Sequence, residues 1–214
     1  MDIVNPAVEA YMRELQVRHD EPVLLEMEAH AHEHAFPIVD RLVGVTLEVL
    51  ARSIGARRVI ELGSGFGYSG YWFSRAVGPE GELHLTDGDE ANAVKAADYL
   101  GRAQLDGPVA FHVGDAVKAL GTLPGDFDLV YNDIDKHGYP DAWLAARARI
   151  RVGGLYVCDN VLWYGNVTGK TGDDRRPKAT KAILEHNRLI AGDEDYLSTI
   201  VPTRDGVMVA LKLR

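Results

Sequence analysis

The sequence predicts an α/β fold with a mostly parallel sheet, preceded by N-terminal helices and closed by a C-terminal antiparallel hairpin. Three observations point to it: short apolar runs alternate with helix-length segments, glycines crowd the turn after the first run, and each run ends at or beside a carboxylate. Alternation of strand and helix implies parallel βαβ units with right-handed crossovers.

In chain order, Asn5 to His34 reads as one polar, acidic helix with Val8, Met12 and Leu15 at helical spacing. Phe36 to Ser53 reads as a second helix, carrying Ile38, Leu42, Val45, Val49 and Leu50. The core runs follow as RRVIEL (57–62), ELHLTD (82–87), VAFHVGD (109–115), FDLVYND (127–133) and GLYVCDN (154–160). Between them, YSGYWFSRAVG (68–78), EANAVKAADYLGRAQL (90–105) and YPDAWLAARARI (139–150) read as helices. The tail YLSTIVPTRDGVMVALKL (196–213) reads as two strands around a tight Arg204-Asp205-Gly206 turn.

With 214 residues and 46% hydrophobic content, the chain suits a single domain spanning 1–214, of which 1–36 is a helical extension. A formal net charge of -9 argues against a phosphate-tracking surface, so nucleic acid is not an expected partner. The one cysteine, Cys158, excludes an intramolecular disulfide and suits a reduced, cytoplasmic setting. MDIVNPAVEAYMREL lacks the basic start and apolar run of a signal peptide. No apolar stretch approaches the ~20 residues of a membrane span.

Glu61, Asp87, Asp115, Asp133 and Asp159 mark the ends of the core runs. Ligands of an open parallel sheet bind outside the carboxyl ends of its strands. Acids there suit hydroxyls, amines, positive charge or a metal. Each alone is also an ordinary turn or cap residue; a rim of them is harder to explain that way. Gly63, Gly65, Gly67 and Gly70 follow the first run, where glycine permits a tight turn and close ligand approach. Gly65, Gly67 and Gly70 match G-x-G-x-x-G, but two residues late. In the register set by the strand the loop reads E-x-G-x-G-x-G, and Tyr68 stands where the pyrophosphate pattern needs glycine. The loop therefore predicts a nucleoside-containing ligand that need not carry phosphates, with Asp87 placed for ribose hydroxyls and Asp115 for the adenine edge.

Asp133 and Asp159 end consecutive strands joined by one helix, so both should lie on one sheet edge. With the amide oxygen of Asn160 they form a hard, oxygen-only set suited to Mg2+ and its relatives. Packed like charges need a cation, or one takes a proton. Lys136 follows Asp133 closely and is a candidate general base; the plainer reading is a surface pair with Asp135.

Three segments, ELGSGFGYS (61–69), DIDKHGY (133–139) and DNVLWYGNV (159–167), together resemble the cation-dependent S-adenosylmethionine O-methyltransferases of the catechol and caffeoyl-CoA type, including small bacterial members. With the C-terminal hairpin, the resemblance covers Pro37 to the end. It implies a Rossmann-like class I methyltransferase fold, and methyl transfer from S-adenosylmethionine to a hydroxyl of a catechol-like small molecule. By resemblance, Asp133, Asp159 and Asn160 are ligands of Mg2+ (or Mn2+ or Ca2+), and Lys136 is the catalytic lysine. Glu61, Gly63, Ser69, Asp87, Asp115, Ala116 and Asp133 fall in the cofactor site. Trp163 and Tyr164 are candidate walls for a phenolic substrate, on a lid from Tyr164 to Pro177. A homodimer through the N-terminal helices is expected. Val45 and Ile134 depart from the family pattern at positions expected to line the pocket.

Three other functions compete: a methyltransferase acting on a hydroxylated RNA base, a dinucleotide-binding oxidoreductase, and a cofactor-binding relative without turnover. The acidic balance, the glycine register and the intact Lys136 count against them in turn. GNVTGKTG (165–172) is one residue short of a phosphate loop, and charged residues follow where a helix should begin. His30, His32 and His34 lack an evident further ligand, and only His30 and His34 share a helix face. Cys158 reads as a small packed residue, not a nucleophile.

Overall fold

The computed structural model describes residues 3–16, 20–105, 107–172 and 174–214. The five core runs form β1 (Arg58–Leu62), β2 (Glu82–Asp87), β3 (Val109–Val113), β4 (Phe127–Asn132) and β5 (Ile150–Cys158); the tail supplies β6 (Tyr196–Val201) and β7 (Val207–Lys212). Their order in the sheet is β3-β2-β1-β4-β5-β7-β6. Strands β1 to β5 pair in parallel, whereas β7 runs antiparallel to both β5 and β6. The last strand thus inserts between β5 and β6, leaving β6 at the edge. Chain order reverses between β1 and β4, and the crevice at such a switch point is where open α/β sheets bind ligands.

Alternate strand residues feed two apolar layers, as a pleated strand requires. Val59, Leu129, Tyr131, Leu155 and Val157 enter one, and Ile60, Leu62, Val130, Tyr156 and Cys158 the other. The helices are α1 (Pro6–Glu14), α2 (Pro22–Glu33), α3 (Arg41–Ser53), α4 (Tyr68–Val77), α5 (Glu90–Arg102), α6 (Ala116–Thr122), α7 (Tyr139–Ala146) and α8 (Pro177–Ala191). Helices α3 and α4 pack so closely that a Cβ on Gly44 would lie 2.1 Å from Trp72 Nε1.

Helix boundaries differ from expectation where proline and capping intervene. The single helix from Asn5 to His34 is two, because Pro22 opens α2 and holds Glu21 extended; residues 17–19 lie outside the described residues. The helix expected from Phe36 begins only at Arg41, where Asp40 caps it by accepting from Val43 N at 3.1 Å. The preceding Phe36–Val39 segment is freed to line a cleft. The helix after β4 ends at Ala146, and Ile150 already belongs to β5. Helices α6 and α8 were not anticipated: the first is only 7 residues long, and the second starts at Pro177 behind a charged run. Among the described residues no helix is long and apolar enough to cross a membrane.

Candidate active site

The turn after β1 depends on glycine for a specific reason. Gly63 has φ of 84°, and a Cβ there would sit 2.8 Å from the Asp133 carbonyl oxygen. The end of β1 therefore passes against the end of β4 with no room for a side chain. Gly63 N and Ser64 N donate to Thr86 O at 3.1 and 2.8 Å, tying the loop to β2. Gly67 is the left-handed residue at which α4 begins, while Gly70 lies inside α4. The working glycines are Gly63, Gly65 and Gly67, the register set by the strand.

Asp87 fastens this loop. One carboxylate oxygen accepts from Gly65 N at 3.1 Å, and the other from Asp89 N at 2.9 Å and Asn92 Nδ2 at 3.0 Å. A carboxylate has about four lone-pair sites, so one remains for a ligand hydroxyl. Glu61 is wholly buried beneath the loop, bonded to the Ser69 hydroxyl through one oxygen, with its second oxygen lacking a hydrogen bond from the described residues. Burial pushes its carboxyl up to about 8, opposed by the Ser69 bond. Asp115 does something different: it caps α6 by accepting from Lys118 N at 2.9 Å, while Gly114 and Ala116 beside it line the cleft.

At the neighbouring strand ends, Asn132 pairs with Cys158 across β4 and β5, so Asp133 and Asp159 follow at matched positions. Asp159 N donates to Asn132 O at 3.3 Å, and Asp133 N to Leu62 O at 2.9 Å, which knits the ends of β1, β4 and β5 together. Asp159 is buried, and its Oδ1 has no hydrogen-bond partner among the described residues. Burial, reinforced by Asp133, pushes its carboxyl up to about 8. Asp133 is shifted up by burial as well, opposed by Lys136 and Tyr139, although its side chain stays 24% exposed. Lys136 Nζ donates to Asp133 Oδ1 at 2.8 Å and Tyr139 OH at 2.7 Å, with a long 3.4 Å contact to Ile134 O. It pairs with Asp133 and not with Asp135, whose carboxylate faces His137 Nδ1 at 3.7 Å.

Asn160, Trp163 and Tyr164 all adopt positive φ, at 56°, 50° and 54°. Non-glycine residues hold such backbone only when their surroundings impose it. Here the β6–β7 turn imposes it: Val161 N bonds Gly206 O at 3.1 Å, Leu162 N bonds Asp205 O at 2.9 Å, and Tyr164 N bonds the Asp205 carboxylate. Helix α8 contributes Asn187, whose Nδ2 donates to Val161 O at 2.9 Å. Asp205 was seen in the sequence only as a turn residue, because its role depends on a contact 41 positions away.

Next to Asn187, His186 lies buried against Tyr156 OH at 3.0 Å, and burial pushes its imidazole down to about 4. Between that value and the ordinary ~6.5, the unfolded chain binds a proton that the folded chain does not. Stability should therefore be intact above pH ~6.5 and fall as pH drops toward 4. Thermal melting across this window should show a shallower slope for His186→Gln than for the parent; equal slopes would remove His186 from the account.

These groups converge on one cleft of ≈ 570 Å³. Gly63, Ser69, Asp87 and Ala116 line its nucleoside side; Asp133, Lys136, Asp159 and Asn160 line the other, with Trp163 and Tyr164 beyond them. Trp163 is buried and Tyr164 exposed. Glu61 and Asp115 do not form the wall. Ile134 lines the cleft, whereas Val45 packs against the apolar core instead. Arg176 and Arg204, unremarked in the sequence, also reach the rim. Among the described residues no group of three or more His, Cys, Asp or Glu side chains could hold a metal. Burial pushes the Cys158 thiol up, consistent with packing.

Residues 11–213 match the family model described as O-methyltransferase. The chain belongs to the O-methyltransferase family. This is the family that its motifs resemble, and the match begins well before Pro37. The enzyme is 34% identical over 184 residues to the catechol O-methyltransferase of Mycobacterium tuberculosis, covering 84% of this chain and 82% of that one. It is 25% identical over 222 residues to caffeoyl-CoA O-methyltransferase 2 of Populus trichocarpa, covering 98% and 90%. The O-methyltransferase TomG of Streptomyces achromogenes, solved in complex with S-adenosylmethionine, superposes with a TM-score of 0.86 at 30% identity, covering 97% and 96%. The class I methyltransferase fold expected from the motifs is therefore the fold of this enzyme.

Proposed function

We propose that the enzyme transfers the sulfonium methyl of S-adenosylmethionine to one hydroxyl of a catechol-like small molecule, with a divalent cation bound at Asp133, Asp159 and Asn160. One observation carries the reading: a glycine turn with its ribose-ready Asp87 and an oxygen-only set beside Lys136 face one cleft. The donor set fits a hard cation, because Asp159 buries an unpartnered oxygen and both carboxyls are driven upward with no counter-charge but Lys136. Mg2+, Mn2+ or Ca2+ would each suit it, and when bound would lower the pKa of the acceptor hydroxyl.

The chain's own groups do the rest. Asp87 holds the ribose, while Glu61, buried beneath the loop, supports the turn through its bond to the Ser69 hydroxyl. Trp163 and Tyr164 flank the acceptor ring. Lys136 Nζ takes the hydroxyl proton; the acceptor oxygen then forms a bond to the methyl carbon while the C–S electron pair returns to sulfur. Holding both reactants in one cleft supplies much of the acceleration. The names of the catechol and caffeoyl-CoA relatives support the acceptor class. A dinucleotide reading needs the glycine register shifted to begin at Gly65, and it leaves the Asp133, Asp159 and Asn160 set without a role. The net charge of -9 disfavours an RNA acceptor. We place the enzyme in the cytoplasm, where Cys158 would stay reduced, and infer a homodimer through the exposed Val8 and Tyr11 of α1 and Leu15 at its C-cap, which sedimentation velocity would resolve.

Calorimetry tests the cofactor: S-adenosylmethionine should bind at roughly micromolar Kd, as a nucleoside site of this size allows. Asp87→Ala should weaken it by removing a ribose acceptor and freeing the Gly65 loop. Tighter binding of NADH than of S-adenosylmethionine would leave the fold intact and overturn the function. Caffeate methylation then tests the acceptor class.

A further inference from the structure

We infer that Tyr139 is the positioning residue that orients the Lys136 amine for proton transfer, an inference that rests on Lys136 as the base. Tyr139 is wholly buried at the start of α7, its ring 5.2 Å from that of His186. Its hydroxyl hydrogen is committed: it donates to Asp159 O at 2.9 Å. In this arrangement the phenol oxygen meets the Lys136 ammonium as an acceptor.

That polarity has a consequence for the amine. The Lys136 ammonium has three hydrogens and three partners, two near, Asp133 Oδ1 at 2.8 Å and Tyr139 OH at 2.7 Å, and one far, Ile134 O at 3.4 Å. The two short bonds fix where Nζ sits, between the acid after β4 and the phenol of α7. Without Tyr139 OH only the Asp133 bond holds the amine, and Nζ is free to swing on its four-carbon stem. The same hydroxyl ties this lysine, on the turn after β4, to the carbonyl of Asp159 just past β5, so amine and acids are held as one unit.

The experiment is a double-mutant cycle of Tyr139→Phe and Lys136→Ala, read as kcat and KM by single-turnover and steady-state kinetics. Phe keeps the buried ring, and circular dichroism with thermal melting monitors the fold. Tyr139→Phe alone should lower kcat by roughly tenfold to a hundredfold, the scale of a misplaced reacting group, with the KM for S-adenosylmethionine unchanged. In the Lys136→Ala background it should cost almost nothing more. A purely structural tyrosine would lower the melting temperature equally in both backgrounds and leave kcat within twofold; that outcome overturns the inference, as does a kcat loss that multiplies with the lysine's. A near-normal Lys136→Ala would instead overturn the base assignment itself, so the two failures are distinguishable.

Discussion

Chelation of divalent cations with EDTA should abolish turnover while leaving the far-UV circular dichroism of the enzyme nearly unchanged. The reason is where the candidate ligands sit. Asp133, Asp159 and Asn160 lie past the ends of β4 and β5, above two apolar layers that strand and helix burial already support. Removing a cation from the rim withdraws no apolar contact. Asp159→Ala in cation-replete buffer should reproduce the loss, because it deletes the buried carboxylate with the unpartnered oxygen. Adding Mg2+ back should restore the chelated parent but not the variant. Loss of the folded signal on chelation would make the ion structural, and full turnover in EDTA would remove the cation from the mechanism.

Lys136→Ala should lower turnover by ~10²-fold or more, the usual scale of general-base loss. Cofactor binding should survive, because the nucleoside side of the cleft is built from β1, β2 and their loops, apart from this amine. Lys136→Arg keeps the charge beside Asp133 but cannot accept a proton near neutral pH, so it should fail almost as badly. If Lys136 only neutralised its neighbour, the pattern would invert: arginine near normal, alanine costing a little stability. The alanine defect should also shrink as pH rises, since an acceptor hydroxyl already ionised by solvent needs no base. A defect constant from neutral to strongly alkaline pH would exclude Lys136 as the proton acceptor.

Much of this was readable in the order of residues. The short apolar runs ending at Leu62, Asn132 and Cys158 announce strands, since a parallel strand covered on both faces reads as a near-continuous apolar stretch. Glycine at 63, 65 and 67 announces the turn, since only glycine accepts positive φ and a backbone neighbour at 2.8 Å without strain. The helix starts were less readable. Pro22 split an apparently continuous helix and Asp40 delayed the next, because a cap or a proline outweighs a weak amphipathic pattern. Helix α6 is too short to show a period.

Local sequence thus specified the strands, the glycine turn and the chemical character of Asp133, Lys136, Asp159 and Asn160, because strand periodicity, backbone conformation and functional groups are properties of neighbouring residues. Three things waited for the tertiary structure. The insertion of β7 between β5 and β6 brought Asp205 against Tyr164 and held three non-glycine residues at positive φ. Asp115, read as an adenine contact, also caps α6 through one carboxylate oxygen and stands outside the cleft wall. Tyr139, read only as part of a motif, closes the link from Lys136 to the Asp159 carbonyl. Each depends on which chain segments lie side by side and where a hydroxyl or carboxylate finds its partner. Long-range packing decides that, and no run of neighbouring residues encodes it.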